Sequence, residues 1–409
     1  MFSLLLLFLL GLPCLYYAVR IFGDVRSFFL LDLSTYKPPP ENTVTKSQFM
    51  EILNSMNVFS QASLDFQRKI LYLSGLGDST ALPSNFFKTP PTFNMTDCTN
   101  FTCSIIFETV SNLLQKLSFS PSNSNIDYVI VTSSFFSVTP TLAHRIIDHF
   151  SLPSLPISLV GMGCAESLIA VDLARKLLKQ RRGRCLVVSV QPVSSSFYFG
   201  SDRSMLIPNS LFRLGCTASL FSNLIKDSRR AKFSLSCVHR SISLGESIKS
   251  LELKSDFHGH TGFSLCHDLL DHYLKVIRKN LKCVAPKVFP TRYLLSYILQ
   301  FVKFLLQPTI RSPPSWPSFS LGADHFCLHV GGRGVLDVLE ESLDLNEDQR
   351  EPSRAVLERY GNVSGSGVFY ALDYLLENNK LSRGSSVWML GYGAGLECVS
   401  AYMRCRKVV

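Results

Sequence analysis

Three residues of this 409-residue chain stand at glycine-flanked junctions and carry side chains that cooperate in nucleophilic acyl chemistry: Cys164, His329 and Asn362. A thiolate that attacks a thioester needs an imidazole to share its proton and an amide to donate to the developing oxyanion. Cys164 follows Gly161-Met162-Gly163 and opens a stretch where Leu168, Ile169, Val171, Leu173, Ala174, Leu177 and Leu178 recur at helical spacing. A cysteine in a helix's first turn meets unpaired N–H groups and the positive end of the dipole. Both favour thiolate over thiol. The competing reading makes Cys164 one more buried cysteine among twelve. The three residues are remote in sequence, so only the fold can bring them together.

The elements that must do so alternate between strand and helix. Residues 127–133 and 185–190 read as buried strands, and residues 45–76 and 105–117 as helix. This alternation predicts an α/β core with a mainly parallel sheet. Farther on, His325-Phe-Cys-Leu-His329-Val-Gly-Gly-Arg-Gly leads into a helix. Tyr360-Gly-Asn362-Val-Ser-Gly-Ser-Gly turns into another at 368–378, and residues 387–390 form a strand ending in Gly391-Tyr-Gly-Ala-Gly395. The two halves thus share a logic of strand, glycine-rich turn and helix. Residues 198–223 read as an ordered loop and a small-residue strand, and 226–260 as polar and weakly patterned. The stretch 293–307 is apolar nearly all round, which suits either core or a membrane- or acyl-facing surface.

Composition narrows the class. Hydrophobic residues make up 46% and charged residues 18%, with a net charge of +10. No aromatic-interleaved basic patch or zinc-finger spacing accompanies that charge, which argues against nucleic acid. The cysteines are scattered without a CxxC pair, as in a reduced large domain. His325 and His329 have a spacing compatible with metal ligation on a helix, but no third ligand stands at matching spacing. Residues 391–395 lack the Lys-Ser/Thr of a phosphate loop. Residues 1–22 carry no charge before Arg20 and predict a membrane anchor, with Arg20, Arg26 and Lys37 placing the main body in the cytosol. Residues 27–33 are too short to span again and are expected at the interface, before the stiff Lys37-Pro-Pro-Pro linker. The sequon-like Asn94-Met-Thr, Asn100-Phe-Thr and Asn362-Val-Ser read as coincidence.

Several long segments, in order, resemble plant 3-ketoacyl-CoA synthases, the condensing enzymes of very-long-chain fatty acid elongation. They are Tyr36-Lys-Pro-Pro, FQRKILYLSGLGDST at 66–80, GMGC at 161–164, YFGSDRSMLIPNSLFRLG at 198–215, HFCLHVGGRGV at 325–335, EPSR at 351–354, RYGN at 359–362 and GYGAG at 391–395. The resemblance implies a thiolase-like, five-layered αβαβα fold of two similar halves behind an N-terminal transmembrane helix. It divides the chain into the anchor at 1–22, a membrane-proximal segment with helices at 23–80, a nucleophile half at 81–225 and a His/Asn half at 226–409. It implies that Cys164 takes the acyl group from an acyl-CoA. His329 and Asn362 then promote decarboxylation of malonyl-CoA, with His325 in support and no metal or redox cofactor. It further implies an endoplasmic reticulum membrane location, a homodimer, and other elongase components as partners.

The chain departs from the family pattern near this chemistry. Where the family reads Cys-Ser-Ala-Gly, it has Cys164-Ala165-Glu166-Ser167, and where the family has Ser-Thr-Glu it has Ser189-Val190-Gln191. A family histidine is replaced by Ile242. Glu166 would raise the thiol pKa if its carboxylate faced the sulfur. These changes admit a second expectation, a weak or inactive paralogue acting as membrane-bound partner of an active synthase.

Overall fold

Runs of valine, isoleucine and small residues supply strands buried on both faces, which read as continuous apolar segments rather than as alternation. The computed structural model describes residues 28–88, 91–120, 124–243, 245, 249–266, 268–307 and 312–407. The anchor expected at 1–22 lies outside them, and no helix among the described residues is long and apolar enough to cross a membrane.

The strands of the first half are β1 (Phe29–Thr35), the short β2 (Thr43–Val44) and β3 (Thr80–Ala81), β4 (Tyr128–Ser133), β5 (Leu155–Val160), β6 (Arg184–Gln191) and β7 (Gly215–Ser222). The second half holds β8 (Phe233–Ile242), the hairpin β9 (Leu251–Ser255) and β10 (Thr261–Leu265), then β11 (His325–Leu328), β12 (Ser386–Gly393) and β13 (Glu397–Cys405). Nine of them form one sheet in the order β11-β12-β13-β8-β1-β7-β6-β4-β5. β1 and β8 meet antiparallel at its middle. Outward from that contact both halves follow one rule: first strand innermost, then the last, then the last but one. The same strand order thus repeats on either side of the sheet's centre.

The sheet is mixed rather than mainly parallel. Parallel pairing joins β4 to β5, β4 to β6 and β11 to β12. The pairs β6–β7 and β12–β13 and the central contact are antiparallel; of these only β12–β13 is a hairpin, whose short connection reverses the chain.

Helices Met95–Lys116 and Leu142–Phe150 pack on strands of the first half, and Leu269–Val288 and Glu347–Tyr360 on strands of the second. Two others lie between the halves. Glu166–Gln180 touches β4 and β6 but also β8, β12 and β13, and Gly367–Glu377 touches β11 and β12 but also β1 and β7. Burial on almost every side explains the runs Leu168-Ile169-Ala170-Val171 and Val368-Phe369-Tyr370-Ala371-Leu372.

Five sequence expectations change. Residues 27–33, expected at a membrane interface, largely form β1, a wholly buried strand paired on both sides. The 45–76 helix is two, Lys46–Ser55 and Gln61–Leu73, with Asn57 at φ +53° between them. The weakly patterned 226–260 region contains the central strand β8, and the loop after 198 contains the helix Arg203–Leu211, capped by Asp202. Finally, Thr291–Leu306 is a surface helix with no buried residue, which removes the core reading of 293–307.

Candidate active site

The nucleophile turn is built from glycine. β5 ends at Val160, and Gly161 and Gly163 follow at φ +81° and +59°, a region that favours glycine. A Cβ on Gly163 would stand 2.4 Å from the backbone N of Ala394, and one on Gly393 2.4 Å from the backbone N of Cys164. The glycine-rich end of β12 is thus the wall against which the cysteine turn is pressed, and Cys164 is buried.

That burial reverses the expected acidity. The thiol is pushed up to about 12, chiefly because burial disfavours the thiolate; Glu166 adds to the rise and a hydrogen bond with the Ser364 side chain opposes it. The helix start does not outweigh the loss of water.

His329 follows β11 directly. Its N–H donates to Leu390 O at 2.9 Å, Tyr392 Oη donates to its carbonyl at 3.0 Å, and its ring stands edge-on to Tyr392 with centroids 5.0 Å apart. Burial holds the imidazole down to about 4, so the ring is neutral; Nδ1 is buried without a protein partner, and the ring hydrogen-bonds with the backbone of Ser364.

Asn362 is held between two segments. Its N–H donates to Leu211 O at 3.2 Å, and its carbonyl accepts from Arg213 N at 2.9 Å. Gly361, at φ +72°, has no room for a Cβ, which would meet Arg213 Cγ at 2.6 Å. The Asn362 carboxamide accepts from Ser364 N at 2.9 Å and makes a long contact to Gly331 O at 3.4 Å.

The structure therefore brings Cys164, His329 and Asn362 together around one residue, Ser364. Its side chain meets the thiol, its backbone meets the imidazole, and its N–H meets the carboxamide. Nothing in its type drew attention to it; the hint was its place three residues into a second glycine-rich turn resembling the first. Tyr273 and Tyr392 complete the surroundings, with ring centroids 5.2 Å apart, and both interact electrostatically with the thiol.

His325 is not brought in. It opens β11, and four residues of extended chain put it about 13 Å from His329, where a helix would have placed it one turn away. It is half-buried beside Asp324, with Asp348 and Lys380 acting on it. The same extension separates the pair as metal ligands.

Two family models cover most of the chain: residues 21–305 match FAE1/Type III polyketide synthase-like protein, and residues 320–405 match the chalcone and stilbene synthases, C-terminal domain. The chain is 36% identical over 400 residues to 3-ketoacyl-CoA synthase 6 of Arabidopsis thaliana, covering 96% of itself and 79% of that protein. It belongs to the 3-ketoacyl-CoA synthase family. A second Arabidopsis thaliana relative, 3-ketoacyl-CoA synthase 17, is 36% identical over 381 residues, covering 92% of this chain and 78% of that one.

Solved structures match the α/β thiolase-like architecture. PKS-I from the brown alga Ectocarpus siliculosus superposes with a TM-score of 0.73 at 16% identity, covering 93% of this chain and 98% of that one. The C-terminal type III polyketide synthase domain of Steely1 from Dictyostelium gives 0.71 at 18%, covering 94% and 100%. At these identities the likeness concerns fold.

The departures of this 3-ketoacyl-CoA synthase-family chain fall in distinct places. Glu166, Ser167 and Gln191 are fully buried beside the nucleophile turn, and both amide atoms of Gln191 lack protein partners. Ser167 Oγ donates to Gly365 O at 2.5 Å. Ile242, by contrast, is 38% exposed at the end of β8.

Proposed function

We propose that the chain condenses a long-chain acyl-CoA with malonyl-CoA through an acyl-Cys164 intermediate, giving a 3-ketoacyl-CoA two carbons longer as the first step of very-long-chain fatty acid elongation. The observation that carries this is the meeting of thiol, imidazole and carboxamide around Ser364. Thiol and imidazole are both neutral at rest, so acylation begins with proton transfer from Sγ to His329. The thiolate attacks the acyl-CoA carbonyl, and coenzyme A leaves with the proton from His329. Neutral His329 and Asn362 then donate to the thioester oxygen of malonyl-CoA as carbon dioxide departs and negative charge develops there. The enolate carbon attacks the acyl-Cys164 carbonyl and expels the Cys164 thiolate, which regains a proton.

All three acting side chains are retained in one place, which favours an active enzyme over an inactive partner. The reading extends to two stacked halves in five αβαβα layers, supported by the two helices between them. It extends also to the endoplasmic reticulum membrane with a cytosolic body. The apolar residues 1–22 and the surface helix Thr291–Leu306, with Leu295, Leu299, Leu305 and Leu306 exposed, support a membrane location. A homodimer is supported by β5, an edge strand with partly exposed side chains that runs directly into the nucleophile turn. Microsomes bearing the protein, given acyl-CoA and labelled malonyl-CoA, yield elongated keto product; identical output from wild type and Cys164→Ala at every chain length would overturn the proposal.

A further inference from the structure

The buried carboxyl next to the nucleophile sits at one end of a line of hydroxyls. Glu166 Oε2 is 3.2 Å from Ser134 Oγ, and Ser134 Oγ is hydrogen-bonded to Ser364 Oγ. The Ser364 side chain in turn hydrogen-bonds with the Cys164 thiol. The other carboxyl oxygen, Oε1, is 3.3 Å from Ser189 Oγ, which accepts from Ser366 Oγ at 3.2 Å. Glu166 is fully buried, and a Cβ on Gly365 would stand 2.6 Å from its Cγ, so the side chain is boxed in by the second turn. No cation pairs with it among the described residues. The ionisable groups facing it are Cys164 on its own turn and, through Ser364, His329; Tyr273 and Tyr392 act on the thiol.

We propose that Glu166 is a positioning residue whose carboxyl sets the direction of the Ser134–Ser364 hydroxyl chain, and thereby whether a hydrogen-bond donor points at the Cys164 sulfur. This rests on Cys164 as the acyl acceptor. A hydroxyl has one hydrogen to donate, so one end of such a chain dictates the other. With Glu166 neutral, its O–H donates to Ser134, Ser134 donates to Ser364, and Ser364 donates to Sγ, which stabilises a thiolate. Ser189 meanwhile donates to the other carboxyl oxygen. With Glu166 ionised, Ser134 must turn to the carboxylate and Ser364 to Ser134. A lone pair then faces the sulfur and the thiolate loses its donor. Burial favours the neutral form, well above the usual carboxylate range. The residue that should oppose a thiolate by charge thus supports it by hydrogen-bond direction.

The test is the rate of Cys164 alkylation by iodoacetamide, followed by mass spectrometry across pH in the full-length membrane preparation. It reads the thiol without requiring condensation, so failure of the elongation assay and failure of this proposal are distinguishable. Glu166→Gln keeps a donor toward Ser134 and an acceptor toward Ser189, and cannot ionise. It is expected to hold most of the wild-type alkylation rate at neutral pH. Its log-rate should then climb with unit slope in pH, while wild type falls below unit slope where Glu166 ionises. Glu166→Ala is expected to lose about tenfold at neutral pH, the scale of one hydrogen bond to a charged group. Equal losses in Gln and Ala, or superimposable pH slopes for wild type and Gln, would overturn the proposal. A melting curve for each variant accompanies the rates, and a loss that Gln repairs cannot be assigned to unfolding.

Discussion

The two glycine-rich turns are the same piece of backbone used twice. In the first, Gly163 at φ +59° starts the single 3-10 turn Gly163–Ala165, which runs into Glu166–Gln180. In the second, Ser364 at φ +53° starts Ser364–Ser366, which runs into Gly367–Glu377. Both helices lie between the halves. Aligned on the left-handed residue, Cys164 corresponds to Gly365. The first turn carries a reactive side chain where the second carries none, and that bare position gives Glu166 its room. The two turns repeat a shape and divide the proposed chemistry: the nucleophile on the first, Asn362 and the Ser364 hub on the second, with His329 supplied from the end of β11.

The division is broken most completely by removing the nucleophile. Cys164→Ala is expected to lower condensation by at least about a thousandfold, the scale of losing covalent catalysis, with little change in melting. A variant retaining a tenth of the activity would mean that the first turn does not hold the acyl acceptor. On the second turn, Asn362→Ala is expected to slow decarboxylation of malonyl-CoA about 100- to 1000-fold, as for loss of one oxyanion donor. Acyl-Cys164 should still form from acyl-CoA. Loss of acylation to the same extent would show the two turns acting in one step rather than in succession.

The shared left-handed position offers a smaller, sharper contrast. Gly163→Ala must bear the cost of positive φ, roughly 1–2 kcal/mol, and a Cβ 2.4 Å from a backbone nitrogen. It is expected to melt markedly lower or to fail to fold. Ser364→Gly relaxes the same conformation, so its stability should stay within about 1 kcal/mol of wild type. Its condensation should fall about tenfold, because the thiol loses its hydroxyl partner. If both variants melt alike, the positions are not equivalent.

Much of this arrangement is legible in the residues. Cys164, His329 and Asn362 could be picked out because glycine marks where the chain passes close to its neighbours; Gly163 and Gly393 lie against backbone, and Gly361 against the Arg213 side chain. The repeated strand–turn–helix logic has its counterpart in the strand order that repeats across the sheet's centre. What stayed hidden depends on pairing across long distances. β1 looked like an interfacial segment, since seven apolar-rich residues carry no mark of lying at the centre of a sheet. β8 looked polar because buried residues such as Phe233, Cys237 and Val238 are interspersed with partly exposed Ser234, His239 and Arg240. The distance of His325 from His329 was hidden for the same reason, since a four-residue spacing means one turn in a helix but a long reach in a strand. The acidity of Cys164 was misjudged since a helix start is visible in sequence and desolvation is not.

The smallest expected effect separates the two halves by sign. His329 is held at about 4, below its ordinary value near 6.5. The unfolded chain therefore takes up a proton the native site refuses, and stability is lost as pH falls from 6.5 toward 4. By pH 5.5 this amounts to about 1.4 kcal/mol for a single group. Glu166 is raised, so the opposite holds. Its contribution is intact below the ordinary carboxylate pKa near 4.5 and is lost as pH rises above it, because the unfolded carboxyl ionises and the native one does not. Denaturant melts of wild type, His329→Gln and Glu166→Gln at pH 5.5 and 7.5 isolate each term as a difference from wild type. His329→Gln is expected to gain relative to wild type on acidification, and Glu166→Gln to gain relative to wild type on going to pH 7.5. Were both variants to shift in the same direction, one of the two groups would be charged in the native state, and the neutral resting pair of thiol and imidazole would have to be redrawn with it.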